Sequence, residues 1–84
     1  MELVSLKARW NHAKHGGAVS WYWLELSRTP GGPYPLRYEF PNTCTEWTLP
    51  QGLLRAGTWY AVLKAVNASG ASEASNETCF MVPE

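Results

Sequence analysis

His12 and His15 are the only imidazoles in the chain, three residues apart with Lys14 between them and Gly16-Gly17 beside them. That spacing would let both rings touch one metal ion. Two nitrogens without a nearby carboxylate or thiol fall short of the three or four protein ligands of a zinc site, so the pair reads as two solvated turn histidines. Cys44 would be a nucleophile only with a histidine at its side, and the Gly16 turn and the strand that Cys44 opens lie in different loops. The chain has no Asp, and its seven Glu are scattered, which leaves no paired acid and base. Ser69, Ser72 and Ser75 are turn and strand-edge serines. No Gly loop leads from a strand into a helix to cradle phosphate. The residues therefore imply no enzyme, no cofactor and no metal. Asn67-Ala68-Ser69 and Asn76-Glu77-Thr78 match the glycosylation acceptor pattern, which carries weight only in a secreted eukaryotic protein.

Composition narrows the classes further. Eighty-four residues make one domain, spanning 1–84, and seven Lys/Arg cancel seven Glu. There is no basic excess for nucleic acid and no single-sign run for a membrane surface. The apolar runs are far too short for membrane insertion or a signal-peptide core. An aromatic content of 13% excludes a disordered linker. A domain this small buries only about 60–65% of its unfolded surface, so each large side chain counts. Two cysteines are too few for a disulfide scaffold. They could form one bridge, stay as two buried thiols or link to another chain, and composition alone does not decide.

The elements that would position these residues are strands. Apolar and polar residues alternate with period two nearly throughout, and no stretch holds a 3.6-residue period for ten residues. Val4, Leu6, Ala8 and Trp10 share one face of a first strand over 3–10, with Ser5, Lys7 and Arg9 opposite. A turn at 11–18 precedes a strand over 19–27, where Tyr22, Leu24 and Leu26 face one way and Trp21, Trp23 and Glu25 the other. Two prolines and two glycines make 29–33 a loop. Residues 36–40, between Pro35 and Pro41, read as a short edge strand. Thr45, Trp47 and Leu49 alternate, 59–67 is the longest strand, 67–70 a turn and 78–82 the last strand. The expectation is an all-β two-sheet sandwich of about six to seven antiparallel strands. Its core would hold Val4, Leu6, Trp10, Tyr22, Leu24, Leu26, Trp47, Leu49, Leu54 and Leu63.

Three stretches resemble the fibronectin type III module, an immunoglobulin-like sandwich. Leu6-Lys7-Ala8-Arg9-Trp10 looks like its second strand, and residues 19–26 are similar to its third. Leu54-Arg55-Ala56-Gly57-Thr58-Trp59-Tyr60, followed by Ala65-Val66-Asn67 and Gly70, looks like its corner and sixth strand. In that module's topology the strands of Cys44 and Cys79 run the same way with the two sites toward opposite ends, beyond the ~4.4–6.8 Å Cα separation of a bridge. The resemblance thus implies thiols that stay free or cross-link neighbouring molecules. Three departures stand out. In the family pattern a proline sits where Ala56 stands, and the stretch from the corner Tyr to the Ala-Val-Asn triplet is one residue longer than the run from Tyr60 to Ala65 here. With Tyr60 inward, Lys64 would be buried; with Trp59 inward, Ala61, Leu63 and Ala65 follow it and Lys64 faces solvent. The second register is preferred because a buried unpaired ammonium is costly, and a bulge near 60–62 would reconcile the two. Trp10 also arrives so early that the family's first strand is expected to be missing. The strand over 3–10 would then be an open edge, either pairing with another chain or guarded by Lys7 and Arg9.

What remains is surface. Trp21, Trp23, Tyr60 and Val62 are expected to project outward together, as a contact site or beneath the loop at 29–35 with Tyr34. With Lys7 and Arg9 they form the candidate interaction surface. The resemblance, with an early Met1 and no export signal, implies a non-catalytic structural or protein-interaction module. Its expected place is the surface of a phage virion or similar assembly, as a capsid-decoration or tail-associated component folded in the host cytoplasm. Its partners would be proteins, reached by strand pairing or intermolecular disulfides. The alternative is an extracellular adhesion module that binds protein or glycan.

Overall fold

The computed structural model describes residues 1–11, 19–72 and 74–84. His12, His15 and most of the expected turn at 11–18 lie outside them. The described residues form eight strands in two antiparallel sheets. The smaller sheet has the order β1-β2-β5, from Glu2–Val4, Lys7–Arg9 and Glu46–Thr48. The larger runs β4-β3-β6-β7, from Leu36–Pro41, Trp21–Ser27, Gly57–Asn67 and Gly70–Ala71, and β8 (Thr78–Val82) also pairs with β6. The expected all-β sandwich is thus present, with more and shorter strands than the alternation suggested.

One extra strand is β7, just past the expected turn at 67–70, and the other comes from the N-terminus, where two expectations need correction. Residues 3–10 are not one strand. Ser5 and Leu6 both take positive φ, 53° and 63°, and fold the chain into a two-residue hairpin that pairs Val4 with Lys7 and Leu3 with Ala8. Positive φ at both central residues is the signature of the turn that matches strand twist. The turn reverses the side-chain phase, so Leu3 enters the core while Val4 stays 60% exposed. Nor is β2 an open edge, because β1 pairs with one side of it and β5 with the other. Leu6 is half-buried against the core at the turn. A β-carbon is unfavourable at positive φ, and Asn tolerates that region best among non-glycine residues. Ser5→Asn is therefore expected to raise stability by about 0.3–1 kcal/mol, read as a higher urea midpoint at unchanged slope.

Between the sheets, Leu3, Ala8, Trp10, Tyr22, Leu24, Leu26, Leu49, Leu54, Trp59, Ala61 and Phe80 form the buried cluster, with Leu6, Trp47 and Leu63 half-buried against it. Aromatic rings join the two layers. Trp10 stands edge-on to Tyr22 with centroids 5.9 Å apart and lies 5.5 Å from Phe40, while Trp47 lies 5.2 Å from Phe40 and 5.0 Å from Tyr38.

Strand β6 takes the register with Trp59 inward. Trp59 pairs with Phe80 on β8, Leu63 with Leu24 on β3, and the ladder runs from Gly57 to Val66 without a bulge. Trp59 Nε1–H donates to the Arg55 carbonyl at 2.8 Å, which ties the start of β6 to the chain before it. Arg28 lies 4.9 Å over the Trp59 ring. Its guanidinium would sit 2.7 Å from a β-carbon at Gly57, where φ is +122°.

Candidate functional site

Each strand of the larger sheet turns alternate side chains away from the core, and the register decides which of them meet. Across β3, Trp21 faces Pro41 and Val66, Trp23 faces Glu39 and Lys64, Glu25 faces Arg37 and Val62, and Ser27 faces Tyr60 on its β6 side. The outer face is therefore a band of aromatic and charged side chains drawn from three strands.

Its centre is Glu25, only 4% exposed. The carboxylate receives Lys64 Nζ at 2.9 Å from β6 and Arg37 Nε at 3.0 Å from β4. Burial alone would raise its pKa, but the hydrogen bonds and charges of Lys64 and Arg37 outweigh that and hold it below the ordinary value. Arg37 also lies over Trp23, its Cζ 3.9 Å from the ring centroid, and the Trp23 Nε1–H donates to Glu39 Oε1 at 3.0 Å. A cation on an aromatic face and a satisfied indole N–H together fix the Trp23 ring.

A carboxyl whose pKa folding lowers binds its proton more readily in the unfolded chain. The stability from Glu25 is thus complete above the ordinary carboxyl value of about 4.3 and is lost as pH falls below it toward the lowered one. Wild type is expected to exceed Glu25→Gln in urea midpoint at pH 6–7, with the gap closing as pH falls below about 4.5. A constant gap would mean that the ionised form contributes nothing.

The expected surface residues have different fates. Trp21 is 39% exposed, and Trp23 and Tyr60 are half-buried on the same face. Val62 also points outward but is only 2% exposed, which corrects its expected place in a contact site. Tyr60 and Lys64 flank it along β6 and Glu25 stands opposite, so a short side chain lies low among longer ones. Lys7 and Arg9 belong to the other sheet, 3.3 and 3.6 Å from Glu46, and are not part of this face.

The loop at 29–35 does fold back, but not over the exposed tryptophan. The Tyr34 hydroxyl donates to the Glu77 carboxylate, which also accepts the Gly31 N–H at 2.7 Å. The Glu77 hydrogen bond, ahead of desolvation, pushes the Tyr34 pKa up to about 12. This tie lies toward the Ser27 end of β3 and leaves Trp21, at the other end, open. Cys79 is exposed and faces Tyr60 across the ladder. Cys44 is half-buried against the core and its Sγ–H donates to the Glu46 carbonyl at 3.1 Å. Both thiols are free.

Sequence reasoning placed Trp21 and Trp23 but missed Arg37, Glu39 and Lys64 as their companions. The alternation Leu36-Arg37-Tyr38-Glu39-Phe40 did carry that signal, since it marks Arg37 and Glu39 as outward. No family model matches the chain, and neither a curated protein nor a solved structure matches it.

Proposed function

We propose that the chain is a non-catalytic protein-interaction module of the fibronectin type III kind, an accessory component of a larger assembly such as a phage virion. The observation that carries the reading is the aromatic outer face. Trp21 keeps 39% of its surface in solvent beside Trp23, whose ring is held rigid by Arg37 and Glu39. An exposed large aromatic next to a fixed cationic stack is the kind of surface that anchors protein contacts. The family reading draws support from three correspondences. The stretches that resemble the module's second, third and sixth strands are β2, β3 and β6, Trp10 is buried between the sheets, and the start of β6 is tied back to the chain before it.

The test compares hydrogen exchange of the isolated protein and of the chain in its native particle, together with incorporation of Trp21→Ser. The module reading expects added protection over 21–23 in the particle and at least tenfold poorer incorporation of the variant at unchanged melting temperature. Equal protection in both states, with normal incorporation, would refute it. Quenching of tryptophan fluorescence by soluble oligosaccharides, abolished in Trp21→Ser, would move the assignment to the adhesion module.

A further inference from the structure

We propose that β4 is a self-recognition edge, through which two copies of this chain pair antiparallel about a two-fold axis at Tyr38. This inference concerns a strand edge and does not depend on what docks on Trp21. Strand β4 ends the larger sheet, and its ladder partner is β3 on one side alone. Among the described residues, no backbone bond outside that ladder reaches residues 36–40. At six residues it is a longer open border than β1 or β5, each of three.

The sequence of β4 selects both the partner and the register. Pro35 and Pro41 have no N–H to give, so they bracket a pairing window of residues 36–40 whose midpoint is Tyr38. An antiparallel pair centred there sets Leu36 opposite Phe40 of the second copy and Arg37 opposite Glu39 of the second copy. The second copy returns the same contacts, as a two-fold interface must. Arg37 and Glu39 are both exposed and both on the outer face, where opposite charges directly across a ladder attract. Other arrangements are disfavoured. Sliding the two-fold to residue 37 or 39 puts Arg37 against Arg37 or Glu39 against Glu39. An in-register parallel pair does the same, and a slip by one residue turns the two faces against each other. The edge is thus complementary to itself in one antiparallel register. Pairing there consumes both edges, so the assembly stops at two copies.

A five-residue window makes a small interface, and affinity in the range of about 10–500 μM is expected. Sedimentation equilibrium of the full chain from 10 μM to 1 mM, with hydrogen exchange at both limits, tests this. A monomer–dimer equilibrium is expected, with protection at the high concentration confined to 36–40 and its immediate neighbours. Glu39→Arg, which sets Arg against Arg, should weaken the dimer at least tenfold. Glu39→Gln, which keeps an acceptor for the Trp23 indole, should weaken it about threefold to tenfold and still reports if the Arg variant is unfolded. A monomer at 1 mM, a dimer that leaves 36–40 unprotected, or equal dimerisation of wild type and Glu39→Gln would each overturn the proposal.

Discussion

Trp10→Ala is expected to lower the unfolding free energy by about 3–5 kcal/mol, a large share of the roughly 4–13 kcal/mol that 84 residues have at about 0.05–0.15 kcal/mol per residue. The ring is 6% exposed and contacts Tyr22 of β3 and Phe40 of β4, so its removal empties the space where the sheets meet. The smaller layer of three short strands keeps Trp47 as a second ring bridging to the larger sheet. Trp10→Phe is expected to cost far less than the alanine variant, and for a specific reason. Among the described residues the Trp10 Nε1–H is buried without a hydrogen-bond partner, an arrangement that carries a desolvation cost the phenyl ring does not. Chemical denaturation of the three proteins decides. An alanine variant that unfolds at the wild-type midpoint would mean that Trp10 does not bridge the sheets.

The second large effect falls on Trp59. Trp59→Ala should cost about 3–5 kcal/mol, because a ring 7% exposed leaves the core and the tie to Arg55 is lost with it. Trp59→Phe keeps most of the volume but removes the N–H donor and the rest of the fused ring, so it should cost less than the alanine variant, about 1–2 kcal/mol. Hydrogen exchange would separate the two contributions. In the phenylalanine variant, faster exchange is expected to be concentrated in 54–59, where the corner is released, while β3 and the centre of β6 stay protected. A uniform loss across the molecule would instead make the indole a packing element alone.

The inward faces of β3 and β6 were legible because strict alternation over seven or more residues leaves little choice of phase. Tyr22, Leu24 and Leu26 are buried as their spacing requires, and the cost of burying Lys64 alone was enough to turn Trp59 inward. The N-terminal hairpin was not legible. Its turn carries Ser5 and Leu6 where two-residue hairpins favour Asn and Gly, so the run read as one strand and Val4 received the core place that Leu3 occupies. Alternation also gives a residue's face but not its neighbour. That Arg37 and Lys64 converge on Glu25 depends on pairings between residues 12 and 39 positions apart, which no local pattern encodes. Val62 failed for the same reason, since its depth is set by the longer side chains that the register places around it.

The convergence on Glu25 has a consequence for how the larger sheet is assembled. Sliding β4 or β6 by two residues along β3, about 7 Å, keeps every apolar side chain pointing inward, so burial alone would accept the misaligned sheet. The buried carboxylate would reject three of these four slides. A slide of β4 replaces Arg37 opposite Glu25 with Glu39 or Pro35, and the slide of β6 that sets Tyr60 there carries Lys64 out of reach, leaving a desolvated charge short of its partners. Only the slide that sets Lys64 directly opposite Glu25 keeps the pair. Replacing the trio with apolar residues is accordingly expected to preserve much of the melting temperature while letting misaligned sheets accumulate during refolding. Glu25, Lys64 and Arg37 act as a proofreading device: they add little to the depth of the native minimum and much to its separation from near-copies of itself.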